Sequence, residues 1–352
     1  MNRDAVMIST FVPAFLASIG LDFGRLVSLA RATVTKDAEG RSWVSTRDYF
    51  ALWDAASGLG LPPDFGLRLG SMQRIEGHYD VASIAALHSE TFRDAINALA
   101  RYKQMVCPGR WVLDVENGVA SLEFKWLLAG DHLAPDFLTD GGFAYVAELY
   151  RRGTGRALKL RRIELTRRPN REDLLSDAFE CAIRFNAPRD VMVFDAASLE
   201  DPFLTHNQEL VRLMIPGLEA AFGRFRAGGS TVTDVQLAIH GQLKGARPSV
   251  ERVASAMGIG PRTLQRRLEE AGTTYQEQLD KVRHVMARQM LEQTDLEQGE
   301  IAFYLGFEES NSFARAFRAW QGMSPTQWRQ AVRSGPPSRA VTEGLLSSEG
   351  VA

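Results

Sequence analysis

The chain has 352 residues, of which 45% are hydrophobic and 24% are charged, and its formal net charge is −2. This length is too great for one ordinary hydrophobic core, so we expect two or three soluble globular domains. The balanced charge excludes a polycation that binds nucleic acid by bulk attraction, and two cysteines are too few for a disulfide framework and favour a reducing compartment.

The apolar run near the start of the chain, residues 8–21, predicts a docked helix. The run contains Pro13 and is too short to span a bilayer. The charges of Arg3 and Asp4 before it cancel, whereas a signal peptide typically begins with a net positive charge. No other stretch is a transmembrane candidate. We therefore expect a cytoplasmic protein that does not insert into a membrane.

Residues 111–126 carry the clearest β signal of the first two hundred residues. Apolar residues alternate on both sides of Asn117 and Gly118, and Asn-Gly suits the positive φ angles of a two-residue hairpin turn. Ser89 is placed to cap a helix over residues 89–106. Other predicted elements are helices over 23–30, 48–57, 137–152, 172–181 and 209–226, strands over 158–166 and 191–195, and a loop over 58–70, with or without a short helix. Helices mixed with mainly antiparallel strands predict an α+β domain over residues 1–226.

The last third of the chain has a different character. Residues 227–230 are Ala-Gly-Gly-Ser, a short flexible sequence typical of a linker. Residues 231–333 have helical patterning throughout, which predicts an all-α domain. Residues 334–352 are rich in Ser, Gly and Pro, and we expect a disordered tail there.

Residues 231–333 contain one pattern twice, with the second copy 48 to 50 residues after the first. Each copy predicts a helix, a turn with glycine and a second helix, while residues 275–291 predict a single helix between the copies. Two such units held apart by a stiff helix are suited to successive major grooves of DNA. The paired positions are Ala254 and Ala302, Gly258 and Gly306, Leu264 and Phe313, Arg266 and Arg315, Leu268 and Phe317, Gly272 and Gly322, and Thr274 and Ser324.

The second helix of each copy has an apolar pair on one side and polar side chains on the other. Arginine can pair with guanine and glutamine with adenine, each through two hydrogen bonds worth roughly 1–3 kcal/mol of discrimination. Exposed arginines are more often only solvated, and a helix pair with a glycine turn is often only a hairpin, but the repetition favours base recognition. The candidate DNA-binding residues are Arg262, Gln265 and Arg266 in the first copy and Asn311, Ser312 and Arg315 in the second.

Charge alone does not support DNA binding. Residues 231–333 contain 13 Lys and Arg against 12 Asp and Glu, a net charge of +1. Contacts with phosphate usually supply much of the affinity for DNA, so the local placement of the arginines has to provide them.

A long set of motifs lies in this region. They are Val253-Ala254, Arg262–Leu268, Gly272, Arg283, Leu291, Ile301-Ala302, Leu305–Phe307, Phe313, Arg315–Phe317, Gly322, Ser324-Pro325 and Arg329. With these residues the region resembles the AraC/XylS type of double helix-turn-helix domain. The resemblance implies a transcription regulator, in most members an activator, whose base-reading positions are the six residues named above.

Three residues depart from that family pattern. Gly260 stands where a capping Ser is usual, and Gln298 and Gly299 replace an apolar residue and an alanine-like one. A glycine within a helix costs about 1 kcal/mol relative to alanine. We therefore expect the second unit to be less stable than the first, or partly mobile before DNA binds.

The N-terminal region, through residues 179–185 and 193–202, is similar to the non-cupin, arabinose-binding-like domain of the same family. The resemblance implies control by a small-molecule effector at this domain, without implying that arabinose binds. Five aromatic residues are candidates for a ligand pocket, although core packing is the commoner explanation. Two arginine pairs are candidates for contact with an anionic effector, although a solvated face is the commoner role for such residues. These residues are Trp43, Trp53, Trp111, Trp126 and Tyr145, with Arg151, Arg152, Arg161 and Arg162.

Enzymatic chemistry has little support in the sequence. The six histidines are scattered without metal-ligand spacing, Cys107 and Cys181 are typical of buried structural thiols, and no phosphate loop, Gly-x-Ser-x-Gly or His-Glu-x-x-His motif occurs. We expect no catalytic residues, no metal and no cofactor.

The predicted function is that of a ligand-responsive transcription regulator. Its expected partners are double-stranded DNA, an unidentified small-molecule effector, RNA polymerase and a second copy of the chain. Two alternatives stay open, an architectural DNA-binding protein without an effector and an enzyme with a fused DNA-binding domain.

Overall fold

The computed structural model of the protein describes residues 4–71, 80–126, 134–227, 231–243 and 248–334. Within these ranges the N-terminal part combines helices with two sheets, and the C-terminal part is helical. The predicted α+β class followed by an all-α region is confirmed. The predicted linker and tail lie outside the described residues, except that Ala227 and Ser334 each end a helix.

A small antiparallel sheet opens the chain, with the order β1-β3-β2. The sequence did not predict its strands, because two or three residues are too few to show an alternation of apolar and polar side chains. Four helices pack with this sheet. The elements are β1 (Val6–Ile8), α1 (Phe11–Ser18), α2 (Phe23–Ala30), β2 (Thr35–Lys36), β3 (Ser42–Val44), α3 (Thr46–Ser57) and α4 (Phe65–Ser71).

The larger sheet has five strands in the order β4-β5-β8-β6-β7. The predicted hairpin forms its first two strands, and Asn117 and Gly118 have φ angles of 50° and 76°. All its pairings are antiparallel except that of β6 with β7, a short strand that the sequence did not predict. The strands are β4 (Gly109–Glu116), β5 (Val119–Trp126), β6 (Leu160–Glu164), β7 (Ala182–Arg184) and β8 (Val191–Asp195).

The helix Val81–Leu87 was not predicted from the sequence, and the other helices around this sheet follow predicted ones with one correction. Ser89 does not cap a helix, because its hydroxyl donates to the Ala85 carbonyl at the end of the preceding helix. Thr91 is the cap instead, and its side chain accepts from the Asp94 N–H. The helices are α5 (Val81–Leu87), α6 (Phe92–Tyr102), α7 (Asp136–Thr154), α8 (Glu172–Phe179) and α9 (Gln208–Ala227), with short 3-10 turns at Lys103–Met105 and Ala196–Glu200.

Glycines let α4 lie directly against α7. A Cβ at Gly70 would stand 2.1 Å from the Gly141 carbonyl oxygen, and one at Gly66 would stand 2.4 Å from that of Phe137. No side chain fits in either gap, so this contact requires glycine. The close approach brings α7 beside the small sheet and the hairpin, where a buried cavity lies.

The helix predicted over residues 275–291 begins at Tyr275 and extends two residues further, to Gln293. This helix, α13, has 19 residues and is about 28 Å long at 1.5 Å per residue. It contacts α10, α14, α15 and α16. The helices are α10 (Thr231–Gln242), α11 (Val250–Ala256), α12 (Pro261–Glu270), α13 (Tyr275–Gln293), α14 (Gln298–Tyr304), α15 (Ser310–Gln321) and α16 (Pro325–Ser334).

The two parts of the chain meet across a cleft of about 960 Å³, with the large sheet on one side and α10 and α13 on the other. At its edge Asp295 accepts from Arg168 of the N-terminal part at 3.1 Å and from Arg333 of α16 at 2.5 Å. Although desolvation opposes it, these two arginines hold the pKa of Asp295 below its ordinary value. The carboxylate is therefore charged at neutral pH and joins the two parts.

No single helix within the described ranges has both the length and the apolar composition needed to cross a membrane. Only α1 and α2 taken together pass that test, as a pair bent by 101°.

Candidate nucleic-acid interface

The first helix-turn-helix unit consists of α11 and α12. Gly258 in the turn has a φ of +69°, a conformation that glycine adopts without strain. Leu264 and Leu268 of α12 are fully buried and pack in one cluster with Val253 and Leu279. The apolar side of α12 therefore fixes which of its residues point into solvent.

The second unit, α14 and α15, repeats this arrangement. Gly306 has a φ of +67°, and Phe313 and Phe317 of α15 are fully buried. They pack in a separate cluster that includes Ile301 of α14 and Trp328 of α16. Each unit thus has its own core, and α13 contributes to both.

All six candidate DNA-binding residues lie on the sides of these helices opposite the buried pairs. We call α12 the first reading helix and α15 the second. Five of the side chains are exposed, and Ser312 is half-buried. Two of them have contacts within their own helix. Arg266 lies 3.7 Å from Glu270, and Arg315 donates to the Ser312 hydroxyl at 3.3 Å. The exposed residues are Arg262, Gln265, Arg266, Asn311 and Arg315.

Neither reading helix has a side-chain cap at its start. The first begins after Gly260 and the second after Glu309, and neither residue accepts a hydrogen bond from the first turn through its side chain. Ser249, Thr274 and Ser324 do cap α11, α13 and α16. No capping side chain therefore competes for the first-turn N–H groups, although Pro261 has none and the Ser312 N–H already donates to the Glu309 carbonyl.

The repeat extends further than the sequence comparison of the two copies revealed. Thr274 and Glu277 form a reciprocal capping box at the start of α13, and Ser324 and Gln327 form the corresponding one at the start of α16. The second pair stands 50 residues after the first. A search for Ser or Thr followed three residues later by Glu or Gln finds both.

A buried arginine, Arg283, and a half-buried one, Arg329, fix α14. Arg283 is 5% exposed, and its guanidinium donates to the carbonyls of Leu305 at 2.8 Å and Gly306 at 2.7 Å, at the end of that helix. Arg329 donates to the Leu296 carbonyl at 2.6 Å, just before the helix begins. Both arginines were among the residues that carry the resemblance, and the structure gives them a bracing role rather than a contact with DNA.

The two reading helices carry different local charge. Arg262, Arg266 and Arg267 are exposed on the first. The exposed residues Glu308 and Glu309 precede the second and place negative charge where its N-terminus would meet a phosphate. The N-terminal end of the first reading helix is therefore the less acidic of the two.

The aromatic residues of the N-terminal part divide into two groups. Trp111, Trp126 and Tyr145 line a cavity, whereas Trp53 packs in the core against Phe65 and Phe137, and the indole of Trp43 donates to Asp37. Of the arginines considered for an anionic effector, Arg151 and Arg152 pair with Glu148, Arg161 with Asp195 and Arg162 with Glu164.

Neither cysteine is disulfide-bonded. Burial raises the pKa of the Cys107 thiol to about 11, so it is neutral and unreactive at physiological pH. Among the described residues no group of three or more His, Cys, Asp or Glu side chains is placed to hold a metal ion.

Two family models match the chain. The model described as the arabinose-binding domain of AraC transcription regulators, N-terminal, matches residues 20–203, just over half of the chain. A helix-turn-helix domain model matches residues 253–331, which include both units.

Similar proteins are regulators. The ornithine utilization regulator of Pseudomonas aeruginosa is 29% identical over 304 residues, which cover 86% of this chain and 88% of the relative. The regulator VirS of Mycobacterium tuberculosis is 25% identical over 76% of this chain and 78% of its own length. The transcriptional activator RhaS of Escherichia fergusonii is 40% identical over 83 residues, 23% of this chain and 30% of the relative. The crystal structure of the regulator CdpR from Pseudomonas aeruginosa, 22% identical, covers 88% of this chain and 96% of its own with a TM-score of 0.40.

Proposed function

The chain belongs to the family of AraC transcription regulators with an arabinose-binding-type N-terminal domain, and on this premise we propose that it is a sequence-specific activator controlled by a small molecule. As a member of this family it is a helix-turn-helix transcription regulator and not an enzyme. We assign effector sensing and dimerisation to residues 1–226, linkage to 227–230 and DNA binding to 231–333.

The observation that carries the proposal is the repetition of one exposed polar face on two separately packed helices. Leu264 and Leu268 pack the first reading helix against its core, and Phe313 and Phe317 pack the second reading helix against its own. A helical hairpin that only packs has no reason to present arginine at the same position of both copies. Each unit is suited to one major groove, and α13 determines how far apart the grooves are.

The side chains define what each helix can recognise. Arg262 and Arg266 on the first reading helix, with Gln265 between them, suit a site containing guanine and adenine. Arg315 on the second suits guanine, and Asn311 suits adenine. Ser312 can bond to a base edge or a phosphate. The uncapped start of the first helix, which no acidic residue directly precedes, would position it on the phosphate backbone.

The control mechanism that we propose is a change in the relative placement of the two DNA-binding domains of a dimer. An effector bound to the N-terminal domain would favour one arrangement of a dimer on DNA half-sites, by binding that arrangement more tightly. Exposed apolar residues of the N-terminal part, Leu204 and Leu213 at 79% and 80%, are consistent with an interface there. RNA polymerase would be the partner of the activating state, in the cytoplasm. The names of two relatives, an activator and a metabolite-utilization regulator, agree with this mechanism.

Genomic footprinting with the full chain tests the proposal. Arg266→Ala and Arg315→Ala should each weaken protection at specific sites roughly 5- to 150-fold, because each removes a base contact worth about 1–3 kcal/mol. Arg267→Ala is the matched control. It removes the same charge from the flank of the same helix, and its smaller effect should be equal on all DNA sequences.

Two outcomes would contradict parts of this account. Equal binding of the unsubstituted protein to random DNA at moderate salt would favour an architectural protein without sequence preference. A larger loss from Arg315→Ala than from Arg266→Ala would overturn our expectation that the first unit is the firmer anchor.

A further inference from the structure

A cavity of about 170 Å³ lies inside the N-terminal domain, between the small sheet, α1, α7 and the β4–β5 hairpin. Aromatic side chains form one part of its wall. Trp111, Phe124 and Trp126 form a continuous cluster with ring centroids 5.0 and 5.4 Å apart. An engineered apolar cavity of about 150 Å³ holds benzene, so this one suits a ligand of roughly six to ten non-hydrogen atoms.

One side of the cavity carries a charged pair. Lys103 Nζ lies 2.5 Å from Asp80 Oδ2, and their side chains are only 20% and 9% exposed. Although burial opposes it, the attraction of Asp80 raises the pKa of Lys103, so the ammonium keeps its proton. Charged groups are costly to desolvate, and a pair in a pocket is a feature that packing alone does not explain.

The two partners differ in how fully their hydrogen-bonding capacity is used. Asp80 accepts from the Ser83 N–H at 3.0 Å and the Ser83 hydroxyl at 3.1 Å as well as from Lys103. An ammonium has three N–H donors, and Asp80 takes one of them. Tyr145 lies beside the pair, with its ring centroid 5.8 Å from Nζ, and its hydroxyl donates to Ser83. The site therefore offers a donor to a ligand rather than an acceptor.

We propose that this cavity is the effector site and that it takes a small monocarboxylate with an apolar body. The carboxylate lies on Lys103, and the body lies between Trp111, Phe124 and Trp126. The assignment as effector site rests on the proposed function, whereas the binding chemistry does not.

The test is thermal unfolding of the full chain with benzoate, phenylacetate and hexanoate at millimolar concentration, against benzamide, hexanamide and benzylamine. A ligand that binds only the folded state raises the unfolding temperature in proportion to its concentration and affinity. We expect a concentration-dependent rise with at least one carboxylate and none with the amides or the amine. No rise with any carboxylate would overturn the proposal.

Two substitutions separate the roles of the pair. Lys103→Met should weaken carboxylate binding at least about tenfold, since it removes a charged hydrogen bond. Asp80→Asn keeps a side chain that can cap α5 and removes the competing carboxylate, so carboxylates should bind several-fold more tightly. Circular dichroism establishes that each variant is folded, and Asp80→Asn remains decisive where Lys103→Met does not fold.

Opposite results would identify a different ligand class. If benzylamine binds the unsubstituted protein but not Asp80→Asn, the site binds cations and the proposal is wrong. If a folded Lys103→Met variant binds carboxylates as tightly as the unsubstituted protein, the proposal is also wrong. The unfolding measurements need no DNA. A negative result for ligand binding is therefore distinguishable from a negative result for specific DNA binding, which the footprints measure. A bound carboxylate that leaves the footprints unchanged would overturn the effector assignment.

Discussion

Arg266 and Arg283 have the same side chain, and their surroundings give them different roles. The side chain of Arg266 is 70% exposed, and its 3.7 Å pair with Glu270 is of a kind that contributes little to stability. Arg283 is 5% exposed, and its guanidinium donates to two backbone carbonyls. The cation also lies 4.2 Å from the centroid of the Phe307 ring.

We predict that Arg283→Met lowers the free energy of unfolding by about 2–4 kcal/mol, because it leaves the Leu305 and Gly306 carbonyls without their charged donor. Arg266→Ala should change it by less than about 0.5 kcal/mol. Urea denaturation of both variants measures the difference. Equal midpoints would mean that Arg283 does not brace α14 in solution.

Helix α14 is the element where the sequence departs most from its family. Gln298, expected to weaken the second unit, donates to the Ser310 hydroxyl at 2.9 Å, at the start of the second reading helix. Glu300 accepts from the Glu297 N–H at 2.7 Å and closes the first turn of α14. Gly299 has no such compensation, since a Cβ there would meet nothing within 4 Å.

We predict that Gly299→Ala stabilises the second unit by about 1 kcal/mol, the usual difference between glycine and alanine in a helix. Slower amide exchange in α14 and α15, with unchanged exchange in α11 and α12, is the expected result. Gly241→Ala in α10, which also has open space at its Cβ, is the matched control and should slow exchange around α10 instead. A destabilising effect of Gly299→Ala would show that the helix needs glycine for a reason absent from this structure.

The elements show how far a sequence can be interpreted. Helices α12, α13 and α15 were predicted because their apolar residues recur at helical spacing over ten or more residues, and the repeat then identified the exposed positions. The sequence did not predict the four short strands, because two or three residues are too few to show an alternation of apolar and polar side chains. These strands are β1, β2, β3 and β7. The partners of Arg283 and Arg329 are backbone carbonyls, which leave no pattern of side chains. The Lys103–Asp80 pair was missed because its members are 23 residues apart and meet only through the fold.

At the scale of the whole molecule, Asp295 is a shared contact between the two parts of the chain. It accepts from Arg168 on one side and Arg333 on the other, and all three side chains are 40–49% exposed. Exposed ion pairs are worth about 0–1 kcal/mol, so this contact biases the arrangement of the parts without locking it. A weak contact of this kind suits a regulator whose N-terminal and C-terminal parts have to change their relative arrangement when an effector binds.

We predict that Asp295→Asn speeds amide exchange around Arg168 and around the start of α14, because the charged contact between the parts is lost while the shape of the side chain is kept. The expected change is at most about fivefold, which corresponds to about 1 kcal/mol. Asp280→Asn, which neutralises a carboxylate on α13 bonded to Gln276, is the control and should leave both segments unchanged. Equal exchange in the two variants would mean that the ion pairs do not hold the parts together.

The separation of packing from recognition within each reading helix has an evolutionary consequence. Leu264 and Leu268 hold the first helix in place, and none of its three candidate base-reading residues contacts that core. If these positions read bases as we propose, substitutions there would change the preferred DNA sequence at almost no cost in stability. Because each unit has its own core, one half of the target can also diverge while the other is kept. A duplicated unit of this kind lets a regulator acquire new target genes stepwise, without passing through a chain that does not fold.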